Sequence, residues 1–232
     1  MNIKWNCSAL AAVLALSAGI AASAATRSEA QERLDAATAT LGELMRAGDN
    51  DIPQELIDNA KCIVVIPGMK KAGFILAGKY GRGFAACRRS SNMGWSAPAA
   101  MRVEGGSFGF QIGVSDTDIV LLVMNSGGMR HLLSNKFTLG GEATVAAGPI
   151  GRDAAAQTDA MLSTEMLSYS RSHGLFAGIS LEGATLRPDG DTNRALYGRG
   201  ISSRQVLTGS VKAPAYAAKF EHALTRHSPR RQ

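Results

Sequence analysis

The sequence predicts a single α+β domain, a largely antiparallel β-sheet or barrel flanked by N-terminal and C-terminal helices. Three observations carry this expectation: apolar residues at helical spacing in residues 28–47, short β-branched or alternating segments punctuated by glycine from Cys62 onward, and a second helical pattern in residues 214–224. Glycine is enriched, 26 of 232 residues against a usual ~7%. Aromatic residues make up only 6%, so turns and short strands have to supply most of the structure.

Taken in order, Leu34, Ala37, Leu41, Leu44 and Met45 share one helical face, and Gly48 stands as a stop. Asp51-Ile52-Pro53 opens a second short helix with Pro53 at its first position, running to about Ala60. Glu29, Glu32, Asp35 and Glu43 make the outer face of the first helix acidic, which argues for packing on a core rather than lying in a membrane interface. Strands are expected at 62–66, 74–78, 83–88, 99–103, 107–113 and 118–124, followed by weaker ones at 142–147, 165–170 and 175–181. The alternation of Phe108, Phe110 and Ile112 predicts a sheet with one buried face. Short helices fit 129–133, the residues after Asp191, and 214–224; no internal repeat and no second domain boundary is visible.

Residues 1–24 are set apart from the fold. Lys4, an apolar run over 9–20 and Ala22-Ser23-Ala24 read as a secretory signal peptide, leaving residues 25–232 for the periplasm or for peripheral attachment to a membrane. No later apolar stretch approaches the ~20 residues that a membrane-spanning helix needs. Without Cys7, Cys62 and Cys87 are an even pair in an oxidising compartment, and a disulfide between them is expected; two separate buried thiols are the alternative.

Charge is distributed in blocks. Residues 25–58 carry −5 and residues 104–191 carry −5, whereas residues 59–103 hold eight cations and no acid, and residues 192–232 carry +7. The acid-free block contains the candidate phosphate-contacting residues Lys70, Lys71, Lys79, Arg82, Arg88 and Arg89. The alternative is a scatter of solvated cations. Nucleic acid is not an expected partner, because an exported protein rarely meets it and no reading motif is present. Anionic lipid head groups are the more available phosphates.

The chemical motifs are incomplete. Gly105-Gly106-Ser107-Phe108-Gly109 matches the G-x-S-x-G nucleophile elbow, yet the following residues continue as a strand instead of the required helix, so Ser107 is a weak hydrolase candidate and the glycines read as turn and bulge positions. Asp189, Asp191 and Asn193 fit the start of a calcium loop, but Arg194 and Gly200 stand where glycine and glutamate are needed; a turn and helix cap is the better reading. Gly78-Lys79-Tyr80-Gly81-Arg82-Gly83 is neither a dinucleotide fingerprint nor a P-loop; it is read as a turn turning N–H groups and cations toward a phosphate, or as a plain hairpin turn. No metal site and no cofactor are expected.

Several ordered motifs resemble the SYLF lipid-binding domain: Lys70-Lys71-Ala72-Gly73-Phe74, Tyr80-Gly81-Arg82-Gly83, Trp95-Ser96-Ala97-Pro98, Gly106 to Gly113, Lys136 to Gly141, Ala147 to Arg152, and Tyr169-Ser170-Arg171-Ser172 through Gly178. The match covers roughly residues 55–200. The resemblance implies a non-enzymatic module that binds acidic phospholipids. In an exported bacterial setting the implied ligands are phosphatidylglycerol, cardiolipin, phosphatidic acid or the phosphates of lipopolysaccharide, with an acidic envelope protein as the alternative partner.

Overall fold

The computed structural model describes residues 27–43, 52–73, 76–89, 94–108, 113–150, 161, 163–172 and 175–228. Helix α1 covers residues 27–43, ending at the last described residue before position 52, and α2 spans Gln54–Asn59 behind Pro53. The signal peptide expected over 1–24, the end of the first predicted helix, and Phe110 and Ile112 of the alternating run lie outside the described residues.

Four long strands follow: β1 (Cys62–Gly73), β2 (Leu76–Cys87), β3 (Ala99–Phe108) and β4 (Gly113–Val123). Helix α3 (Ser126–Leu132) then leads to β5 (Phe137–Thr138), β6 (Val145–Ala147), β7 (Met166–Ser172), β8 (Leu175–Gly178) and β9 (Thr185–Pro188). The chain closes with α4 (Gly190–Tyr197), α5 (Ser203–Leu207), a 3-10 turn (Ala215–Ala217) and α6 (Ala218–His227). The sheet order is β5-β9-β3-β2-β1-β4-β7-β6, with β8 beside β7. Every pairing is antiparallel except β6 with β7. The expected α+β class, a curled and largely antiparallel sheet with helices at both ends, is the architecture found.

The strands at 74–78 and 83–88 are parts of one strand, because Gly81 and Gly83 continue the ladder to β3 without a break. Gly105 and Gly106 likewise sit inside β3, opposite Lys79 and Gly78, and are not turn residues. Gly83 is required there for close approach: a Cβ would run into the Val65 carbonyl and Ile66 Cα of β1.

The central strands are buried on both faces, in contrast to the one buried face expected. On one face Ile63, Val65, Phe84, Val120 and Leu122 pack under α1, α2 and α6 through Leu34, Leu41, Leu56, Phe220 and Leu224. On the other, Val64, Ile66, Ala85, Ile119 and Leu121 pack against Leu132, Phe137, Leu139, Leu186 and Leu207. The near-continuous apolar runs Ile63–Ile66 and Ile119–Val123 are the sequence signature of that double burial.

One irregularity breaks the ladder. Register shifts between Ile66 and Met69, where Pro67 and Gly68 form a bulge and Gly68 takes φ 57°. Gly68 N–H donates to Asp118 Oδ1 at 2.9 Å, and the other Asp118 oxygen accepts from Thr40 of α1 at 3.1 Å and Arg171 of β7 at 2.6 Å. The extra residue inverts the side-chain alternation of β1. Before it, even-numbered residues face the second cluster; after it Met69 and Lys71 do, and Lys70 turns to the helix-covered face.

Cys62 and Cys87 are register partners on β1 and β2, fully buried and disulfide-bonded, as expected. In the chain-entropy model a loop of 25 residues yields roughly 3 kcal/mol. Cys62→Ala/Cys87→Ala should therefore lower unfolding stability by about 3 kcal/mol in a denaturant titration. Gly83→Ala should destabilise by about 2 kcal/mol or more, with loss of the β1–β2 amide protection in hydrogen exchange, since the strand must move to admit the methyl.

Candidate functional site

The six cations singled out from the sequence do not share one surface. Lys71 and Lys79 are cross-strand partners on the second face, and burial followed by the Lys71 charge pulls the Lys79 ammonium below its ordinary pKa. Lys70, exposed, pairs with Tyr80 and Asp116 on the opposite face. These three lysines lie in the half of the β1–β2 hairpin beyond the bulge.

Arg88 and Arg89 lie at the other end of β2, nine residues or about 30 Å along the strand from Lys79. Arg88 is withdrawn from the candidate lipid-contacting residues: it is buried, 8% exposed. Its guanidinium donates to the Ser228 carbonyl at 2.7 Å, to the carbonyls of Ala60, Ile57 and Asp58, and to Ser228 Oγ, which in turn donates to Asp58. Trp95 covers it at 4.2 Å from the ring centroid and donates its own N–H to the Ser228 carbonyl at 3.0 Å. Arg88 is thus a structural cation tying the end of α6 to α2 and β2. Arg89 is exposed, hydrogen-bonds the Trp95 carbonyl, and faces Glu221 of α6.

Arg82 belongs to a third group. It donates to the Tyr80 hydroxyl at 2.5 Å and lies 3.4 Å from Asp189. Register places it beside Arg102 of β3, and Arg102 beside Arg187 of β9, so three arginines cross three strands on one face. Glu104 receives Arg187 Nη2 at 2.8 Å and lies 3.0 Å from Arg102 Nε. The hydrogen bond from Arg187, with the charges of Arg102, Arg187 and Lys136, holds the Glu104 carboxyl below the usual range against a smaller opposing effect of burial. From α1, Arg33 faces Arg82; burial and then that like charge lower its pKa. The sequence reading missed Arg102, Arg187 and Arg33 as partners of Arg82, because only strand order brings them together.

The other motifs resolve locally. Asp189 caps α4, accepting from Thr192 N–H at 3.3 Å and Thr192 Oγ1 at 2.9 Å, while Asn193 holds both polar groups of Ala100 at 2.8 Å. These oxygens serve the fold in place of a calcium loop. Ser107 pairs with Ala77 inside β3 and is not on an elbow. A groove of about 510 Å³ runs between α1 and α6, with Thr38, Gly42 and Ala223 in its walls and Lys219, His222 and Arg226 at its edge. Among the described residues no helix is long and apolar enough to cross a membrane.

A curled, largely antiparallel sheet under terminal helices is the domain type that the SYLF motifs led us to expect. The model of the Ysc84 family, described as "Las17-binding protein actin regulator", matches residues 104–227, and the chain belongs to this family. Similar proteins include the SH3 domain-containing protein PJ696.02 of Schizosaccharomyces pombe, 39% identical over 75% of this chain and 40% of that protein. Protein YSC84 of Saccharomyces cerevisiae is 36% identical over 73% of this chain and 36% of its own length. The SH3 domain-containing YSC84-like protein 1 of Homo sapiens is 35% identical over 76% of this chain and 51% of its own. The chain thus spans between about a third and a half of these relatives.

Two outcomes follow from the geometry. Arg88→Ala should cost about 3 kcal/mol or more of stability, read by thermal or chemical unfolding, because at least four carbonyl acceptors lose a charged donor inside the core. Glu104, with its folded pKa depressed, adds stability that is complete above the unfolded carboxylate pKa and is lost as pH falls through the lower folded value. Glu104→Gln should therefore flatten the stability profile below about pH 4.3, compared with the parent in unfolding titrations at stepped pH.

Proposed function

We propose that the chain is a non-enzymatic phospholipid-binding protein of the bacterial cell envelope that meets anionic head groups with Lys70, Lys71 and Lys79 of the β1–β2 hairpin. The observation that carries this reading is the Lys71–Lys79 pair. Like charges directly opposite each other across strands are destabilising, and the cost is offset when an anion sits between them. Lys70 stands on the other face of the same hairpin end, exposed and beside Asp116, and flanks the pair from that side. A cation held near an anionic membrane surface contributes on the order of 1 kcal/mol, so three give reversible, salt-sensitive attachment. The signal peptide read over residues 1–24 supports an envelope setting, in which phosphatidylglycerol, cardiolipin and lipopolysaccharide phosphates are the available anions. Membership of a family of non-catalytic proteins, and Ser107 within a strand, support a binding role over hydrolysis.

A second reading is favoured by the family. The matching family model is described by the binding of a protein, Las17. In this chain the equivalent role would be the capture of an acidic envelope protein, and the groove between α1 and α6, edged by Lys219, His222 and Arg226, is the surface that suits it.

Co-sedimentation with vesicles separates the two. Anionic but not neutral vesicles should bind the protein, with affinity falling as salt rises, because exposed charges are screened over ~10 Å at 0.1 M. Lys70→Ala/Lys71→Ala/Lys79→Ala should weaken binding on the order of 100-fold at low salt. Undiminished binding in that variant, or none by the folded parent, overturns the lipid reading and leaves affinity capture from envelope extracts to test the other.

A further inference from the structure

We propose that Arg82, Arg102 and Arg187 form a phosphate-binding row, separate from the Lys71–Lys79 pair and on the opposite face of the sheet. The inference stands independently of the membrane reading, because it rests on a different set of residues and needs no bilayer.

The row is built by strand order. Arg102 is the register partner of both Arg82 and Arg187, so three guanidinium groups leave adjacent strands on one face, spanning about 10 Å. Three carboxylates offset them: Glu29 of α1, whose charge acts on Arg82 and Arg33, and Asp189 and Glu104, which are already engaged. Asp189, 1% exposed, spends its oxygens on the α4 cap and lies at 3.4 Å from Arg82. Glu104 serves Arg187 and Arg102 together. Donors outnumber acceptors as a result. The Nε atoms of Arg102 and Arg187 are both buried and make no hydrogen bond among the described residues; Arg102 Nε is within ion-pair range of Glu104 without its N–H being aimed at an oxygen. Arg33 of α1 brings a fourth guanidinium toward Arg82.

The side chains are nonetheless reachable, since Arg82, Arg102 and Arg187 are 34%, 24% and 36% exposed. Planar forks with spare donors at fixed spacing match the oxygens of a phosphate group, which accept bidentate hydrogen bonds from arginine better than from lysine. A phosphomonoester or a pyrophosphate presents more unsubstituted oxygens than a phosphodiester, so it satisfies more of the row. The phosphate is either the terminal group of a lipid or a free anion.

Isothermal titration of the full chain with inorganic pyrophosphate tests the row, and flotation with vesicles containing phosphatidic acid distinguishes the source. Pyrophosphate should bind, and Arg187→Gln or Arg102→Lys should weaken it by roughly tenfold or more, while Lys212→Ala, at an exposed cation outside both groups, leaves it unchanged. Glu104→Gln, which releases donors, should tighten it and serves if an arginine variant fails to fold. If Arg187→Gln also reduces binding to phosphatidic acid vesicles, the phosphate is a lipid's; if vesicle binding ignores it while pyrophosphate binding does not, the phosphate is free. No binding of pyrophosphate by the folded parent, an affinity indifferent to the arginine variants, or no gain in Glu104→Gln overturns the proposal.

Discussion

Asp118 accepts the Gly68 N–H and so holds one extra residue in β1, and through that contact the two halves of the strand show opposite alternation to the same neighbours. Below the bulge the alternation fills two apolar clusters. Above it the same alternation sorts lysines, sending Lys71 to the side of Lys79 and Lys70 to the side of Tyr80 and Asp116. Asp118 is in turn fixed by Thr40 and Arg171, so α1 and β7 are fastened to the strand at the point where its pattern changes. Core packing and surface charge are thereby set by one local geometry.

Arginine performs three different tasks in this sheet, and the difference is made by surroundings. Arg88 is desolvated but surrounded by carbonyl oxygens and a Trp95 face, which return the hydration it loses. Arg171 joins Asp118 and Glu43 and acts as a clamp between β4, β7 and α1. Arg82, Arg102 and Arg187 gather with fewer acceptors than donors. A guanidinium serves all three because it stays charged in each setting and its five donors point in a fixed plane.

Much of the fold was legible because its strands advertise themselves. Ile63–Ile66 and Ile119–Val123 are too apolar to be anything but central strands, and Leu34, Ala37 and Leu41 mark the buried side of α1. The pairing of Cys62 and Cys87 was expected from their even number once residues 1–24 are read as a signal peptide, and the disulfide is found. What could not be read is whatever depends on strand order. Arg88 and Arg89 are neighbours in sequence with identical chemistry, and only the cover of the Trp95 ring and the arrival of Ser228 from the distant end of α6 bury one and leave the other outside. The long strands were under-read for a related reason: Gly78, Gly81 and Gly83 look like turn residues, yet in a tightly packed sheet a missing side chain also lets a neighbouring backbone come close. The acid-free block was visible as a composition, but its division among three locations follows from contacts between residues far apart in the chain, such as Arg102 with Arg187 and Arg88 with Ser228.

The disulfide sits at the base of the β1–β2 hairpin, with every lysine of the hairpin inside the covalent loop it closes. Mechanically, the hairpin is no free lever: β4 pairs with β1, and β3 with β2, as far as the lysine end, so a load applied there is shared with both flanking strands. The covalent link at the root keeps β1 and β2 from separating at Cys62 and Cys87 however many rungs above it open, and a reducing environment would remove that link without changing a single surface charge.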